Sequence, residues 1–264
     1  MVMVINKKVR RTMLESKAQY FGSLVLIAIS CMLYTLFNQL GAITSDGASA
    51  FEKDYVQEDA SFITDKKLNN IPELESQFGM IIEEGESFDY AVTKEKTLRV
   101  FAETTKVNKY AVIKGRTLSG SDMLLDPAYA KANDIKIGDT VSVRDHQFTV
   151  SGFMSLPNYI YPLKKETDVL NAPGSFGIAV IGRDDYASFN TDSSFYSVKV
   201  AGDRNNVDGK LAELKDSLKN ENVVILKWIG IEENPRVTLV TSKLENMKSV
   251  GAAMPVAICC LHAF

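Results

Sequence analysis

The chain has 264 residues, a formal net charge of −3, and 24% charged and 45% hydrophobic residues. That balance is ordinary for a folded protein and carries neither the charge of a nucleic-acid binder nor the composition of a disordered chain. Its three cysteines (Cys31, Cys259, Cys260) all lie in apolar runs, so no disulfide is expected to staple the remainder.

Residues 1–17 form a basic segment, with Lys7, Lys8, Arg10, Arg11 and Lys17 against Glu15. No charge follows from Ala18 to Ser45, and Phe21 to Leu40 is interrupted only by Ser23, Ser30, Thr35, Asn38 and Gln39. About 20 mostly apolar helical residues cross a bilayer, so 18–40 is expected to be a transmembrane helix. A signal-peptide core is shorter, roughly 7–15 residues, and the candidate cleavage site Ala48-Ser49-Ala50 lies well past the apolar run. The lipobox-like IAISC fares no better, because Met32 to Phe37 continue the run after Cys31. Beyond the span come Asp46, Glu52, Asp54, Glu58 and Asp59 against Lys53, and basic flanks stay cytoplasmic. The N-terminus is therefore expected inside, with the main domain extracytoplasmic in the cell membrane.

Gly41, Ala42, Gly47, Ala48 and Ala50 make 41–57 a stalk helix or a linker. After it the pattern mixes short strands and helices, which gives an α+β class. Strand patterns at 60–64, GMIIEEG, SFDYAVT and LRVFAET surround the helix IPELESQF, and SFYSVKVAG and VVILKW flank a helix bearing Val207, Leu211, Leu214 and Leu218. Residues 58–105 and 186–232 are expected to build a βαβ lobe, with 106–185 inserted as a β-rich lobe. In the insertion, Asp126-Pro127 opens a helix, Gly138 suits a positive φ, Asp139 closes a turn, and Gly152 marks a bulge or close packing. Asn234-Pro235 starts a second stalk helix over 234–251, with Val237, Val240, Leu244 and Met247 along one seam. Residues 252–264 are uncharged but too short to span, so they are expected to be the start of a truncated or frame-shifted second transmembrane helix.

The run KKVRRTMLESKAQYF before the first span, GRTL with DMLLD and AYAKANDIKIGDTVSV before a hairpin ending FTVSGF, and NPRVTLVTSKLENMKSVGAAMPVA together resemble the MacB/FtsX-like permeases of ABC transporters. The resemblance implies a membrane subunit whose outer domain has a ferredoxin-like βαβ lobe and an inserted lobe. It also implies a cytoplasmic ABC ATPase as partner, a second permease copy or homologous permease, and mechanotransmission through the stalks. The alternative is a membrane-anchored binding or sensor module.

Chemistry is sparse. Gly209-Lys210 is followed by Leu211 and has no glycine five residues before it, so no phosphate-cradling loop exists and ATP is expected on the partner. The chain is not expected to be an enzyme, and no catalytic, cofactor-binding or metal residue is assigned. His146 reads as a solvated turn residue and Glu83-Glu84-Gly85-Glu86 as an exposed loop. Trp228, Tyr159, Tyr161, Phe195 and Tyr196 read as core aromatics.

Overall fold

The structure is a computed structural model that describes residues 16–191, 194–202, 204–243, 246 and 249. The expectations for most of the basic segment and for 252–264 lie outside the described residues, as does part of the second stalk. The chain divides into two compact units, one of 1–48 with 241–264 and one of 49–240.

Helix α1 runs without a break over Lys17–Asp54. Its 38 residues give a length of about 57 Å at 1.5 Å per residue, well beyond a hydrocarbon layer of about 30 Å. No residue of its apolar window is buried within the protein, as a lipid-facing helix requires. Three of its hydroxyls are satisfied within the helix: Ser30 donates to the carbonyl of Leu26 (2.6 Å), Thr35 to Cys31 (2.8 Å) and Thr44 to Leu40 (2.6 Å). The small-residue stretch after Leu40 stays helical as far as Asp54.

The second unit is built on ten strands: β1 (Ala60–Thr64), β2 (Met80–Ala91), β3 (Thr97–Ala102), β4 (Ala111–Gly115), β5 (Asp122–Leu125), β6 (Thr140–Val143), β7 (His146–Ser155), β8 (Phe176–Ile181), β9 (Ser194–Val200) and β10 (Ile225–Gly230). Their order is β10-β1-β9-β2-β3-β8-β5-β7-β4, with β6 on β7. The first four in that order are all antiparallel neighbours. With α2 (Ile71–Phe78) after β1 and α5 (Val207–Asn220) after β9, they form a ferredoxin-like plait.

Both helices cover one face of that plait. Leu74 from α2 and Leu211, Leu214 and Leu218 from α5 meet Phe62, Ile82, Tyr196 and Val198 in one core. Each fully buried Leu is worth ~1.5–3 kcal/mol, so these four supply the main hold of the helices on the sheet. Phe62 lies between the rings of Tyr196 and Trp228, with centroids 5.2 Å away on each side. Gly79 ends α2 at φ 60, a left-handed conformation that glycine adopts at little cost.

The second lobe hangs from the far half of β2. Residues 80–86 of this strand pair with β9, and 87–91 pair with β3. Strand β3 runs parallel to β8, β8 antiparallel to β5, and β5 parallel to β7. Helix α3 (Pro127–Ala132) is capped by Asp126, whose side chain accepts from the amide of Tyr129 at 2.9 Å. A Cβ on Gly177 would lie 2.2 Å from Cγ of Tyr129, so only glycine lets this ring settle on β8. Gly138 takes φ +98, and Asp139 accepts from the amide of Lys136 at 2.8 Å, as the turn chemistry predicts. Gly115 and Gly152 face each other, and a Cβ on either would come within 2.4 Å of the opposing backbone.

Three sequence expectations need correction. GMIIEEG and SFDYAVT are one strand, β2, because Gly85 passes under the ring of Phe195 without a turn. The boundary between lobes therefore falls near 86/87 rather than 105/106. Strand β3 also belongs with the insertion, since Leu98 and Val100 share its core, and α4 (Arg183–Ala187), expected there as far as 185, lies in it whole through Tyr186. His146 is no solvated tip: its Nε2 is 3.1 Å from Ser188 Oγ and its ring packs on Phe189, with centroids 4.7 Å apart.

Candidate functional site

The incoming and outgoing ends of the second unit meet. Ala60 pairs with Gly230 in the β1–β10 register, and the amide of Ile231 donates to the carbonyl of Asp59 at 2.9 Å. Helix α1 is handed to β1 by a left-handed cap: the amide of Gln57 donates to Glu52 O (2.9 Å) and that of Val56 to Lys53 O (3.3 Å). Val56 sits at φ 51, where a β-branched side chain is strained.

Next to this cap lies a buried polar cluster. Glu58 is 3% exposed. One of its carboxylate oxygens accepts from Ser197 Oγ and Asn108 Nδ2, both at 2.6 Å, and the other from Asn158 Nδ2 at 3.4 Å. Asn108 returns the contact by accepting from the amide of Glu58 at 3.0 Å. Burial pushes the Glu58 carboxyl above its ordinary range, and the hydrogen bonds from Ser197, Asn108 and Asn158 only partly offset it. For Asp59, burial is again the largest influence and an upward one. Arg204 (2.7 Å), Lys199 (2.9 Å) and the amide of Val200 (2.8 Å) together still hold its carboxyl below the usual range.

Glu83, in the acid run read as an exposed loop, is buried in β2 and accepts from the amides of Thr105 (2.8 Å), Lys106 (2.9 Å) and Val107 (2.6 Å). It thus holds the 104–110 loop, which carries Asn108, against the first sheet. Asn108 itself stands at φ 52, a conformation asparagine tolerates.

Residues 156–168 form a strap that both ends of the unit grip. Gln57 Nε2 donates to Pro157 O (2.6 Å), and Asn234 Nδ2 donates to Asn158 O (3.1 Å). Buried Arg236 donates through Nε to Leu163 O and through Nη1 to Glu166, both at 3.1 Å, and stacks its guanidinium 4.5 Å over Tyr159. Lys227 on β10 reaches Glu166 at 2.6 Å. Arg99 on β3 holds Asp89 with two bonds (2.6 and 2.9 Å) and donates to Tyr159 Oη at 3.0 Å. Asn234 also caps the outgoing helix, which is described from 235 to 243, by accepting from the amide of Arg236 at 3.1 Å.

Between the strap and the two sheets lies a groove of about 730 Å³. Glu58, Arg99, Asn158, Tyr159, Phe195 and Arg236 are among its walls. No cluster of three or more His, Cys, Asp or Glu able to hold a metal stands together among the described residues. The sequence reading assigned none of these site residues. It counted Glu58 and Asp59 as outer flank charges, whereas both are buried and paired. Tyr196 is core as expected, and Tyr159 and Phe195 pack edge-on against buried Phe101 while also lining the groove. The one local signal for the joint was the Asn-Pro-Arg start of the outgoing helix, where an arginine directly follows the cap.

No protein-family model matches this sequence, and no curated protein matches it. Among solved structures the chain is similar to the crystal structure of the extracellular domain of the noncanonic ABC-type transporter YknZ from Gram-positive bacteria. The two are 14% identical, the match covers 63% of this chain and 90% of that one, and the TM-score is 0.40.

Proposed function

We propose that the chain is the membrane subunit of a MacB/FtsX-like ABC transporter. In this reading α1 anchors it in the cell membrane, residues 1–17 face the cytoplasm, and the 49–240 unit lies outside. A cytoplasmic ATPase hydrolyses ATP, the chain itself catalyses nothing, and a second permease copy or a homologous permease completes the assembly.

The observation that carries this reading is the pairing of Ala60 with Gly230. It brings the segment leaving α1 and the segment entering the 235–243 helix onto adjacent strands of one sheet. A displacement of either segment therefore reaches the strap and both lobes through Gln57, Glu58, Asn234 and Arg236. The apolar α1 and the basic flank before it support the anchoring, and the sequence resemblance supports the transporter class.

The test is purification of the full chain from its native membranes, followed by measurement of ATP hydrolysis in the eluate. Vanadate-sensitive hydrolysis that co-elutes with the chain is expected. An intact, membrane-inserted chain that brings down no ATPase would leave the second reading, an anchored binding module, which the groove favours.

A further inference from the structure

The groove floor is the face of the first sheet that α2 and α5 leave uncovered. Ile63 and Ile229 contribute aliphatic surface there, and Tyr159, Phe101 and Phe195 contribute rings. The polar groups are not balanced around this apolar floor. Five cations (Arg99, Lys164, Lys165, Lys227 and Arg236) face three carboxylates (Glu58, Asp89 and Glu166).

The carboxylates are already engaged. Asp89 is held by Arg99, and Glu166 is shared between Lys227 and Arg236. Glu58 is enclosed by Ser197 and Asn108, and burial favours its uncharged form. Lys164 reaches only the neutral hydroxyl of Thr97, at 2.9 Å, and Lys165 has no anionic partner among the described residues.

We propose that the groove is a binding site for an amphipathic anion: a carboxylate or phosphate head on a flat apolar body, held by Lys164 and Lys165 at the head and by Tyr159, Phe195 and Ile63 along the body. The volume falls in the range of about 300–1,000 Å³ typical of small-molecule sites. Two lysines without an anionic partner among the described residues, beside an aromatic floor, select against neutral and cationic bodies of the same shape. The site stands whether or not an ATPase joins the chain.

The experiment is equilibrium dialysis of the full chain in lipid nanodiscs, with empty nanodiscs as blank. The probes are naphthalene-1-acetate, 1-naphthyl phosphate, the neutral naphthalene-1-acetamide and the cationic 1-naphthylmethylamine. Saturable binding of at least one anion is expected, about tenfold tighter than the amide, with the amine weaker still. Comparing the two anions tells which head group the lysines prefer. The double variant Lys164→Gln, Lys165→Gln should weaken the anion by about threefold or more, whereas Lys131→Gln with Lys136→Gln, away from the groove, should not. Equal binding of acid and amide, indifference to the groove lysines, or no saturable binding above the blank would each overturn the site.

Discussion

Ala60 and Gly230 face each other across an antiparallel pair of strands, although they stand near opposite ends of the 49–240 unit's sequence. The amide of Ile231 then closes onto the carbonyl of Asp59. The unit is therefore held at one place, and the residues around that place are where substitutions should be felt first.

Val56 takes the left-handed cap position that glycine usually fills. Replacing it with Gly or Ala removes the same side chain, so the difference between the two variants isolates the backbone strain. Val56→Gly should be more stable than Val56→Ala by about 1 kcal/mol, measured by chemical denaturation.

Glu58 has a carboxyl raised by burial, so in the folded state it keeps its proton to higher pH than in the unfolded chain. Stability from this group is complete below the unfolded value and declines as pH rises through the folded one. Glu58→Gln removes that decline. Its melting temperature should therefore gain on the wild type as pH rises from 4 to 8 in a thermal-unfolding series. A constant difference between the two curves would refute the assignment.

Glu166 behaves in the opposite sense. Although burial pushes its carboxyl up, Lys227 and Arg236 hold it below the ordinary range. Its contribution is present above the unfolded value and is lost as pH falls through the folded one. Hydrogen-exchange protection in 156–168, taken relative to the intrinsic rate at each pH, should fall on acidification, and less so in Glu166→Gln, where the tie is already weakened.

Arg236 is 5% exposed and bonds Leu163 O and Glu166 while stacking on Tyr159. Arg236→Ala leaves those partners without it and should cost about 3 kcal/mol. Limited proteolysis should then cut within 156–168 before the sheets open.

Gly177 lies beneath Tyr129, and an added Cβ would fall 2.2 Å from Cγ of its ring. Gly177→Ala should destabilise the unit by about 2 kcal/mol in denaturant unfolding, because neither β8 nor a buried ring yields easily.

Local chemistry was legible wherever neighbours in sequence decide it. Asp126 and Asn234 cap helices, Gly138 turns with positive φ, and β1 and α2 fall where their patterns place them. Elements governed by distant partners were not. β2 looked like two strands because Gly85 resembles a break until Phe195 is laid over it. Glu83 looked solvated because the amides it accepts from lie more than twenty residues away. The polar cluster was illegible for the same reason, since Glu58, Asn108, Asn158 and Ser197 share no spacing pattern and meet only through topology.

The chain has a single tryptophan, Trp228, on the strand that leads to the outgoing segment and stacked 5.2 Å from Phe62. Lys215 lies 4.5 Å above the same indole. Its fluorescence is thus a built-in gauge that needs no dye and no engineered residue. Any motion that slides β10 against β1 alters both the ring stack and the nearby ammonium, and emission wavelength and intensity would register it in the unmodified protein.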